Sequence, residues 1–197
     1  MGTIKIGSPK DKKGVTVNPS SVFFNGNNVA MIINGENIIW DSAKPLVPAM
    51  TSNTTPYGEA FASSSFDTRY YPWRAFEANG NVVGERCCWE SYQKSGDIYI
   101  GYKFVNPVNV TKVYVAHINT NADKYLLNEF KLQASNDGNT WIDLGDFSIE
   151  PVQNAEAIYS VNNRNYYSQY RILRVSGGNV NNGYYEVEVG QIQFYGR

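Results

Sequence analysis

Apolar and polar residues alternate along much of the chain, and this spacing is typical of β-strands with one buried face. The alternating segments are residues 97–104, 110–116, 129–135, 170–175 and 187–195. Clusters of Asn, Gly, Pro and Ser between them favour turns, at residues 106–107, 136–139, 162–165 and 177–179. Helical spacing is almost absent; residues 71–77 are the exception and predict one helical turn, with a proline near its start. The pattern therefore predicts an all-β protein built as an antiparallel sandwich or jelly roll.

Two Asn-Gly pairs lie between apolar runs near the start of the chain, at residues 25–26 and 34–35. Asn-Gly favours the tight turn of a β-hairpin, because both central residues of a type I′ turn have positive φ. Two hairpins are therefore predicted, but about 45 residues are too few for an independent core. The hairpin pattern stops near residues 42–45 (SAKP). We predict a small N-terminal β-hairpin attachment module at residues 1–44, with edges that pair with another chain, and a main domain at residues 45–197.

The charge balance excludes some classes of partner. The formal net charge is only −1, whereas binding to nucleic acid or to an anionic membrane needs clustered Lys and Arg. No apolar run approaches the roughly 18 to 20 residues of a membrane span, and residues 1–5 lack the apolar core of a signal peptide. We therefore expect a protein that is made and kept in a cytosol, or released by a route other than secretion.

The two cysteines, Cys87 and Cys88, are adjacent in the sequence. Adjacent cysteines can form a disulfide only within a strained ring, and a zinc site needs two further ligands that a single histidine, His117, cannot supply. Two small buried thiols are the interpretation that these residues favour.

Six segments occur in the order found in one known domain family. They are residues 60–65 (AFASSS), 71–77 (YPWRAFE), 89–91 (WES), 98–104 (IYIGYKF), 132–141 (LQASNDGNTW) and 190–196 (GQIQFYG). From about residue 46 to its end the chain resembles the discoidin-like domains, which are also called coagulation factor V/VIII type C domains and are similar to family 32 carbohydrate-binding modules. The resemblance implies an eight-stranded, galactose-binding-like jelly-roll β-sandwich whose loops at one end bind a ligand.

Most of the matched residues are expected to be structural. Phe76 and Trp89 are predicted core anchors. Residues 135–141 are predicted to form a hairpin turn from which Trp141 returns to the core. Residues 143–146 are predicted to be a strand end and a turn.

Sugar recognition needs an aromatic face beneath the apolar face of a pyranose, and fixed polar groups for its hydroxyls. Most of the 15 tyrosines are expected to be packing or surface residues, so only a cluster of outward-facing tyrosines is evidence for a binding site. The tip loops implied by the resemblance also contain Tyr71 and Lys94. The predicted ligand-binding residues are Tyr70, Arg86, Tyr92, His117, Asn119 and Tyr184. A structural role is the alternative for His117, because a lone histidine at a strand end usually finds its partners within the fold.

Members of the family often hold a calcium ion, using an Asp, loop carbonyls and a Glu of the last strand. Here Glu77 replaces the Asp and Gln191 replaces the Glu. A hard cation prefers anionic oxygens, so the loss of a carboxylate at Gln191 weakens such a site. We predict no metal site and no other cofactor, with a structural calcium near Glu77 and Asn79 as the alternative.

Residues 47–58 (VPAMTSNTTPYG) are similar to the start of discoidin-like domains in tailed-phage virion proteins, and residues 22–41 resemble short modules seen ahead of such domains. The resemblance implies a bacteriophage virion protein of the tail, baseplate or head decoration, assembled in the host cytoplasm and exposed after release. We expect several copies, as a homo-oligomer or a multicopy subunit. Residues 1–44 are predicted to contact other virion proteins, and the main domain to adhere weakly to a host-surface polysaccharide. The alternatives are a structural virion spacer that binds no sugar, and a bacterial adhesin or carbohydrate-binding module.

No catalytic pattern is present in the sequence. The chain has one histidine, no Gly-x-Ser-x-Gly motif, no phosphate-binding glycine loop, and no pair of carboxylates in a context that would separate their pKa values. We therefore predict that the protein is not an enzyme.

Overall fold

A computed structural model describes the backbone of Val22–Phe24, Asn27–Asn34 and Asn37–Asp41, together with residues 43–77, 88–117 and 123–197. The chain divides into two compact units, Met1–Ser42 and Ala43–Arg197. Arg86, Asn119, Asn79 and Cys87, which carry sequence predictions, lie outside the described residues.

The described part of the first unit is a three-stranded antiparallel sheet. Its strands are β1 (Val22–Phe24), β2 (Asn27–Asn34) and β3 (Asn37–Asp41), in the order β1-β2-β3. Phe24 pairs with Asn27, and Asn34 pairs with Asn37, so two residues separate the strands in each case. Both predicted hairpins are confirmed. In the second, Asn34 belongs to the strand, because the connection lies one residue later than predicted.

The second unit is built from antiparallel strands that form two main sheets. Its strands are β4 (Lys44–Pro45), β5 (Glu59–Ala62), β6 (Trp89–Glu90), β7 (Tyr99–Val108), β8 (Val110–Ala116), β9 (Glu129–Ser135), β10 (Ile142–Ser148), β11 (Glu156–Ser160), β12 (Tyr167–Arg174), β13 (Asn179–Asn181), β14 (Tyr184–Glu186), β15 (Glu188–Val189) and β16 (Gln191–Gly196). One sheet has the order β10-β9-β12-β7-β5 and the other β11-β8-β16-β4, with small β13-β14 and β15-β6 pairs beside them. Short 3₁₀ helices occupy Thr68–Tyr70, Pro72–Phe76 and Asp123–Tyr125. No helix among the described residues is long and apolar enough to cross a membrane.

A single hydrophobic core lies between the two main sheets. Phe194 of β16 is fully buried, and its ring centroid lies 5.8 Å from that of Tyr170 and 6.3 Å from that of Phe104, both on the other sheet. Phe76 and Trp89 are 3% and 1% exposed and belong to this core, which confirms their prediction as core anchors. Core side chains from both sheets therefore make the unit a β-sandwich, and the predicted all-β fold class is confirmed.

The strand order defines two ends of the sandwich. β16 begins at Gln191, which pairs with Ala116, and it ends at Gly196, which pairs with Lys44. The first and last strands of the unit therefore meet at one end. The β15-β6 pair lies at the other end, because β15 directly precedes β16. The sequence prediction assigned Lys44 to the hairpin module, but its pairing places it in the sandwich.

Regular alternation predicted several strands well. The segments at residues 110–116 and 129–135 are confirmed to the residue as β8 and β9. The segment at residues 170–175 is confirmed up to Arg174, where β12 ends, and the segment at residues 187–195 is divided between β15 and β16. The helical turn predicted at residues 71–77 is the 3₁₀ helix Pro72–Phe76.

Irregular strands were predicted less well. β7 continues through the turn predicted at residues 106–107. Its pairing with β12 shifts register between Lys103 and Val108, so the proline between them does not have to donate a hydrogen bond to β12. Residues 143–146 lie inside β10 rather than at a strand end. Pairing with β9 shifts between Asp143 and Gly145, and this bulge breaks the alternation that would have revealed the strand.

Trp141 does not return to the core, contrary to the sequence prediction. Its ring lies 4.1 Å from the guanidinium carbon of Arg171, and its indole N–H donates to the carbonyl of Gly138 at 3.1 Å. Arg171 follows the inward-facing Tyr170 on β12, so its side chain lies on the outer face of the sheet. Trp141 therefore covers the outside of the five-stranded sheet.

The packing around Phe194 predicts a large loss of stability when its ring is removed. Phe194→Ala should lower the free energy of unfolding by about 3–5 kcal/mol, because the cavity opens among Phe76, Phe104 and Tyr170. Urea unfolding followed by intrinsic fluorescence measures the change. Ile158→Ala, at a position 61% exposed on β11, is the control and should change stability by no more than about 0.5 kcal/mol. Equal effects of the two substitutions would contradict this account of the core.

Candidate functional site

Four aromatic side chains meet beside the β15-β6 pair. The rings of Tyr92 and Tyr184 are stacked, with centroids 4.1 Å apart and planes inclined by 5°. Phe66 meets Tyr92 edge to face at 5.0 Å and Tyr70 at 5.9 Å. Phe66 is exposed and the other three are partly buried. We call Phe66, Tyr70, Tyr92 and Tyr184 the aromatic cluster; it forms an apolar surface that solvent reaches.

A short antiparallel ribbon holds two members of the aromatic cluster. The backbone partners along it are Trp89 with Val189, Glu90 with Glu188, Ser91 with Val187, and Gln93 with Tyr185. We call residues 89–94 and 184–189 the site ribbon. The register is constant along its length, so successive side chains point alternately to its two faces.

One face of the site ribbon packs into the core, and the other carries the aromatic cluster. Trp89, Val187 and Val189 are each 1% exposed and belong to the hydrophobic core. Tyr92 and Tyr184 occupy the alternate positions, so they point away from the core and share one face. This shared face allows the two rings to stack.

A tight turn presents Tyr184 at the end of the site ribbon. β13 and β14 form a hairpin in which Asn181 pairs with Tyr184. The connecting residues, Asn182 and Gly183, have φ values of 50° and 77°. Positive φ at both central positions is the type I′ arrangement that suits the twist of a hairpin, and Asn and Gly adopt it at little cost.

The loop that carries Phe66 is fastened to the same ribbon. The Phe66 amide donates to the carbonyl of Glu90 at 2.8 Å. The indole N–H of Trp89 donates to the carbonyl of Ser64 at 2.8 Å, and the Ser64 hydroxyl accepts from the amide of Tyr92 at 3.0 Å. These bonds fix Phe66 against Tyr92 and hold the exposed surface of the aromatic cluster in place.

Tyr70 is held by a local ion pair. The Asp67 carboxylate caps the 3₁₀ helix Thr68–Tyr70 by accepting from the Arg69 amide at 2.8 Å. The same carboxylate accepts from the Arg69 Nε at 2.9 Å. The guanidinium carbon of Arg69 lies 5.4 Å from the Tyr70 ring centroid. Arg69 is therefore already engaged by Asp67 on one side and the Tyr70 ring on the other.

Three buried carboxyl groups lie on the site ribbon. Glu90, Glu186 and Glu188 are 7%, 4% and 7% exposed, and Glu90 and Glu188 are direct cross-strand partners. Burial, together with the negative charges of Glu188, Glu186 and Asp67, raises the pKa of Glu90 to about 8, against the opposing charge of Arg69. Glu90 is therefore mostly protonated at neutral pH, which removes repulsion from the site ribbon.

The structure brings together three of the predicted ligand-binding residues, Tyr70, Tyr92 and Tyr184. It also adds Phe66, which the sequence analysis did not identify. Phe66 directly follows the segment matched at residues 60–65, and an aromatic residue between Ser65 and Asp67 in a polar loop is the signal that could have indicated it. Arg86 and Asn119 remain predictions, because they lie outside the described residues.

His117 is buried at the end of β8. It is 1% exposed, its amide donates to the carbonyl of Ala155 at 2.8 Å, and its Nδ1 lies 3.1 Å from the carbonyl oxygen of Val152. These contacts favour the structural alternative for this residue. Cys88, one of the two thiols predicted to be buried, is 0% exposed.

Of the two residues named for the alternative calcium site, Glu77 is described and Asn79 lies outside the described residues. The carboxylate of Glu77 pairs with Arg74 at 2.8 Å, and the Glu77 carbonyl accepts from the side-chain amide of Gln191 at 3.5 Å. No group of three or more His, Cys, Asp or Glu side chains among the described residues is arranged to hold a metal ion. Glu77 is thus engaged by a cation of the chain itself.

Comparisons with known proteins identify the fold. No protein family model matches the chain, and no curated protein matches it. A family 32 carbohydrate-binding module from Clostridium perfringens, solved with GalNAc-β-1,3-galactose, is 12% identical with a TM-score of 0.55; the match covers 70% of this chain and 94% of that one.

Two further solved structures match in the same way. An F5/8 type C domain from Bacteroides fragilis is 13% identical with a TM-score of 0.55, covering 71% of this chain and 91% of that one. A fucose-binding module from Streptococcus pneumoniae is 14% identical with a TM-score of 0.53, covering 74% and 98%. The chain therefore contains a β-sandwich with the fold of the discoidin-like and family 32 carbohydrate-binding domains.

The buried Glu90 predicts a stability that falls as the pH rises. Its folded pKa lies near 8, whereas the unfolded carboxyl has the ordinary value of 4.5, so the folded state binds the extra proton between these values. The contribution of the Glu90 carboxyl to the free energy of unfolding is complete below about pH 4.5. It is lost as the pH rises towards 8, by at most about 1.4 kcal/mol per pH unit. Urea unfolding of the protein and of Glu90→Gln from pH 5 to 8 measures this slope.

Glu90→Gln keeps the shape of the side chain but removes the titration, so its unfolding free energy should depend less on pH. The groups that face Glu90 are Glu186, Glu188, Asp67 and Arg69, with Tyr70 close enough for its own pKa to be raised by the Glu90 charge in addition to burial. Identical slopes for the two proteins would show that Glu90 is not the titrating group.

Proposed function

We propose that residues 43–197 form a non-enzymatic carbohydrate-binding domain and that it binds sugar at the aromatic cluster. The observation that carries this proposal is the convergence of Phe66, Tyr70, Tyr92 and Tyr184 on one solvent-exposed surface. Pyranose rings carry patches of C–H groups that pack on aromatic rings, and such contacts work best when the rings are fixed before the ligand arrives.

Polar groups around the aromatic cluster suit the hydroxyls of a sugar. The Lys94 ammonium lies 4.9 Å from the Tyr184 ring centroid, and Asp67 and Arg69 lie beside Tyr70. Lys94 is exposed, so its ammonium can leave the ring face and donate to a ligand. An apolar surface with a few polar groups at its rim is the usual composition of a small-ligand site.

The structural neighbours support the same proposal. Two of them are described by their sugars, GalNAc-β-1,3-galactose and fucose. A shared fold alone does not transfer a ligand. The position of the aromatic cluster at one end of the sandwich supports the proposal independently, because it follows from contacts within this chain.

We further propose that the protein is a tailed-phage virion subunit that adheres weakly to a host-surface polysaccharide. The support is the resemblance of residues 47–58 to virion proteins, and the three-stranded sheet at Val22–Asp41, whose outer strands offer edges to another chain. The aromatic cluster lies at the end of the sandwich opposite to Lys44–Pro45. A domain attached through its first residues therefore presents this cluster outward, and many copies would add their weak affinities.

Two alternatives make different predictions about the same surface. A virion spacer would pack the aromatic cluster against a neighbouring subunit and bind no sugar. A bacterial adhesin or a carbohydrate-binding module would bind sugar without entering a particle. Multimerised protein on a glycan array, together with particle purification, distinguishes the three.

Removing rings from the aromatic cluster should reduce glycan binding and leave the fold intact. Tyr184→Ala and Phe66→Ala should each weaken binding of the multimerised protein by about tenfold or more, because the stacking surface is lost. Glycan-array binding and the melting temperature are measured together.

Tyr166→Ala is the matched control for these variants. Tyr166 is 52% exposed and precedes Tyr167, which pairs with Val108 at the end of the sandwich opposite to the aromatic cluster. Its removal should change neither binding nor stability. Equal binding by all three variants, or no signal from the unmodified multimer, would rule out the aromatic cluster as the sugar site.

Deleting residues 1–42 should separate attachment from sugar binding. The truncated chain keeps β4, whose pairing with β16 belongs to the sandwich, so it should fold with an unchanged melting temperature and bind the same glycans. We expect it to be missing from purified particles, because the hairpin sheet is absent. Incorporation at the level of the full chain would contradict the attachment role, and an unfolded product would show that the hairpins support the sandwich.

A further inference from the structure

One cation at the aromatic cluster is held in place without an ion pair. Gln93 bridges to Tyr185 in the antiparallel sense, so the next residue, Lys94, lies across from Tyr184. The Lys94 ammonium lies 4.9 Å from the Tyr184 ring centroid. Tyr92 stacks on Tyr184 at 4.1 Å and thus covers one face of this ring, so Lys94 lies over the other face.

The backbone that follows Lys94 is fixed by the side chain of Gln93. Its amide nitrogen lies within hydrogen-bond distance of three carbonyl oxygens, those of Ser95 at 3.2 Å, Gly96 at 3.3 Å and Asp97 at 2.9 Å, which share its two hydrogens. Gly96 has a φ of 87°, which allows the chain to turn back around this amide. Gln93 is therefore a positioning residue: it fixes the turn from which Lys94 reaches the ring.

The charges around Lys94 leave it available to a ligand. Among the described residues no carboxylate forms an ion pair with it, while the neighbouring cation Arg69 is engaged by Asp67. The carboxyl groups of the site ribbon, at Glu90, Glu186 and Glu188, are buried. A cation–aromatic contact at an exposed position stabilises by only about 0.5–1 kcal/mol, so an anionic ligand group can replace the ring as the partner of Lys94.

A sugar that packs on Tyr184 would bring its ring substituents to Lys94. A neutral hydroxyl accepts an ordinary hydrogen bond from the ammonium, whereas a carboxylate or phosphate accepts a shorter, charge-assisted bond of about twice the strength. We propose that Lys94, positioned by Gln93, makes this site selective for glycans that carry an anionic group, a uronic acid carboxylate or a sugar phosphate. The inference rests on the proposed sugar binding at the aromatic cluster and specifies its ligand class.

Three monosaccharides that differ only at the sixth carbon test the proposal: galactose, galacturonic acid and galactose 6-phosphate. Titration of the full chain, followed by NMR chemical shifts, measures each affinity. At about 0.02 M salt both acidic sugars should bind roughly tenfold more tightly than galactose, and this advantage should shrink at about 0.5 M salt because exposed charges are screened. A gain for only one acidic sugar identifies which anionic source the site accepts.

Lys94→Met should remove the advantage of the acidic sugars over galactose, because the stem remains and only the charge is lost. Gln93→Ala should reduce the advantage in part, and Gln93→Asn should not restore it because the shorter amide does not reach the three carbonyls. Lys124→Met is the matched control, since its ammonium lies 4.7 Å from the Tyr125 ring in the same kind of contact. It should leave all three affinities unchanged.

The possible outcomes separate this inference from the proposed function. Binding of galactose with no gain for either acidic sugar overturns the anionic preference and leaves sugar binding intact. A gain that survives Lys94→Met, or that disappears equally in Lys124→Met, overturns the role of Lys94. No shift with any of the three sugars contradicts both the inference and the site on which it rests.

Discussion

The register of the site ribbon is the constraint on which the rest of the second unit depends. Pairing of Trp89 with Val189 and of Gln93 with Tyr185 sets which side chains face the core and which face the ligand surface. A slip of one residue would exchange the two faces, so that Tyr92 would enter the core and Trp89 would leave it. The packing of the core and the stacked arrangement of the aromatic cluster are thus specified by the same backbone hydrogen bonds.

The same face of the ribbon carries a feature that opposes stability. Glu90 and Glu188 are direct cross-strand partners with little exposure, and like charges in such positions repel. Burial together with this repulsion keeps Glu90 protonated, and the neutral carboxyl costs less to bury than a charged one. Groups whose pKa values are strongly shifted concentrate at functional surfaces. Their position beneath Tyr92 and Tyr70 fits a surface shaped for binding at some expense in stability.

How much could be predicted from the sequence depended on the regularity of each element. β8 and β9 alternate without interruption and were predicted to the residue, whereas the bulge at Asp143 and Gly145 concealed β10. Three tyrosines of the site were identified because ordered motifs placed their loops. Phe66 was missed, and Trp141 was assigned to the core, because the pattern of apolar residues does not distinguish an exposed ring from a buried one. The stacking of Tyr92 on Tyr184 could not be predicted, because it depends on the pairing register of the site ribbon, and no local sequence pattern contains that register.

The proposed role of Lys94 in selectivity depends on a weak, exposed contact. Its contact with Tyr184 contributes little to folding, because both groups remain close to water. The segment that follows Lys94 is instead ordered by Gln93, whose amide nitrogen lies within hydrogen-bond distance of three carbonyl oxygens. The ammonium therefore retains its hydrogen-bonding capacity, whereas Arg69 gives much of its capacity to Asp67. Under the proposal made for Lys94, specificity would come from a cation that the fold positions but that no carboxylate among the described residues neutralises, because such a cation distinguishes a charged sugar from a neutral one.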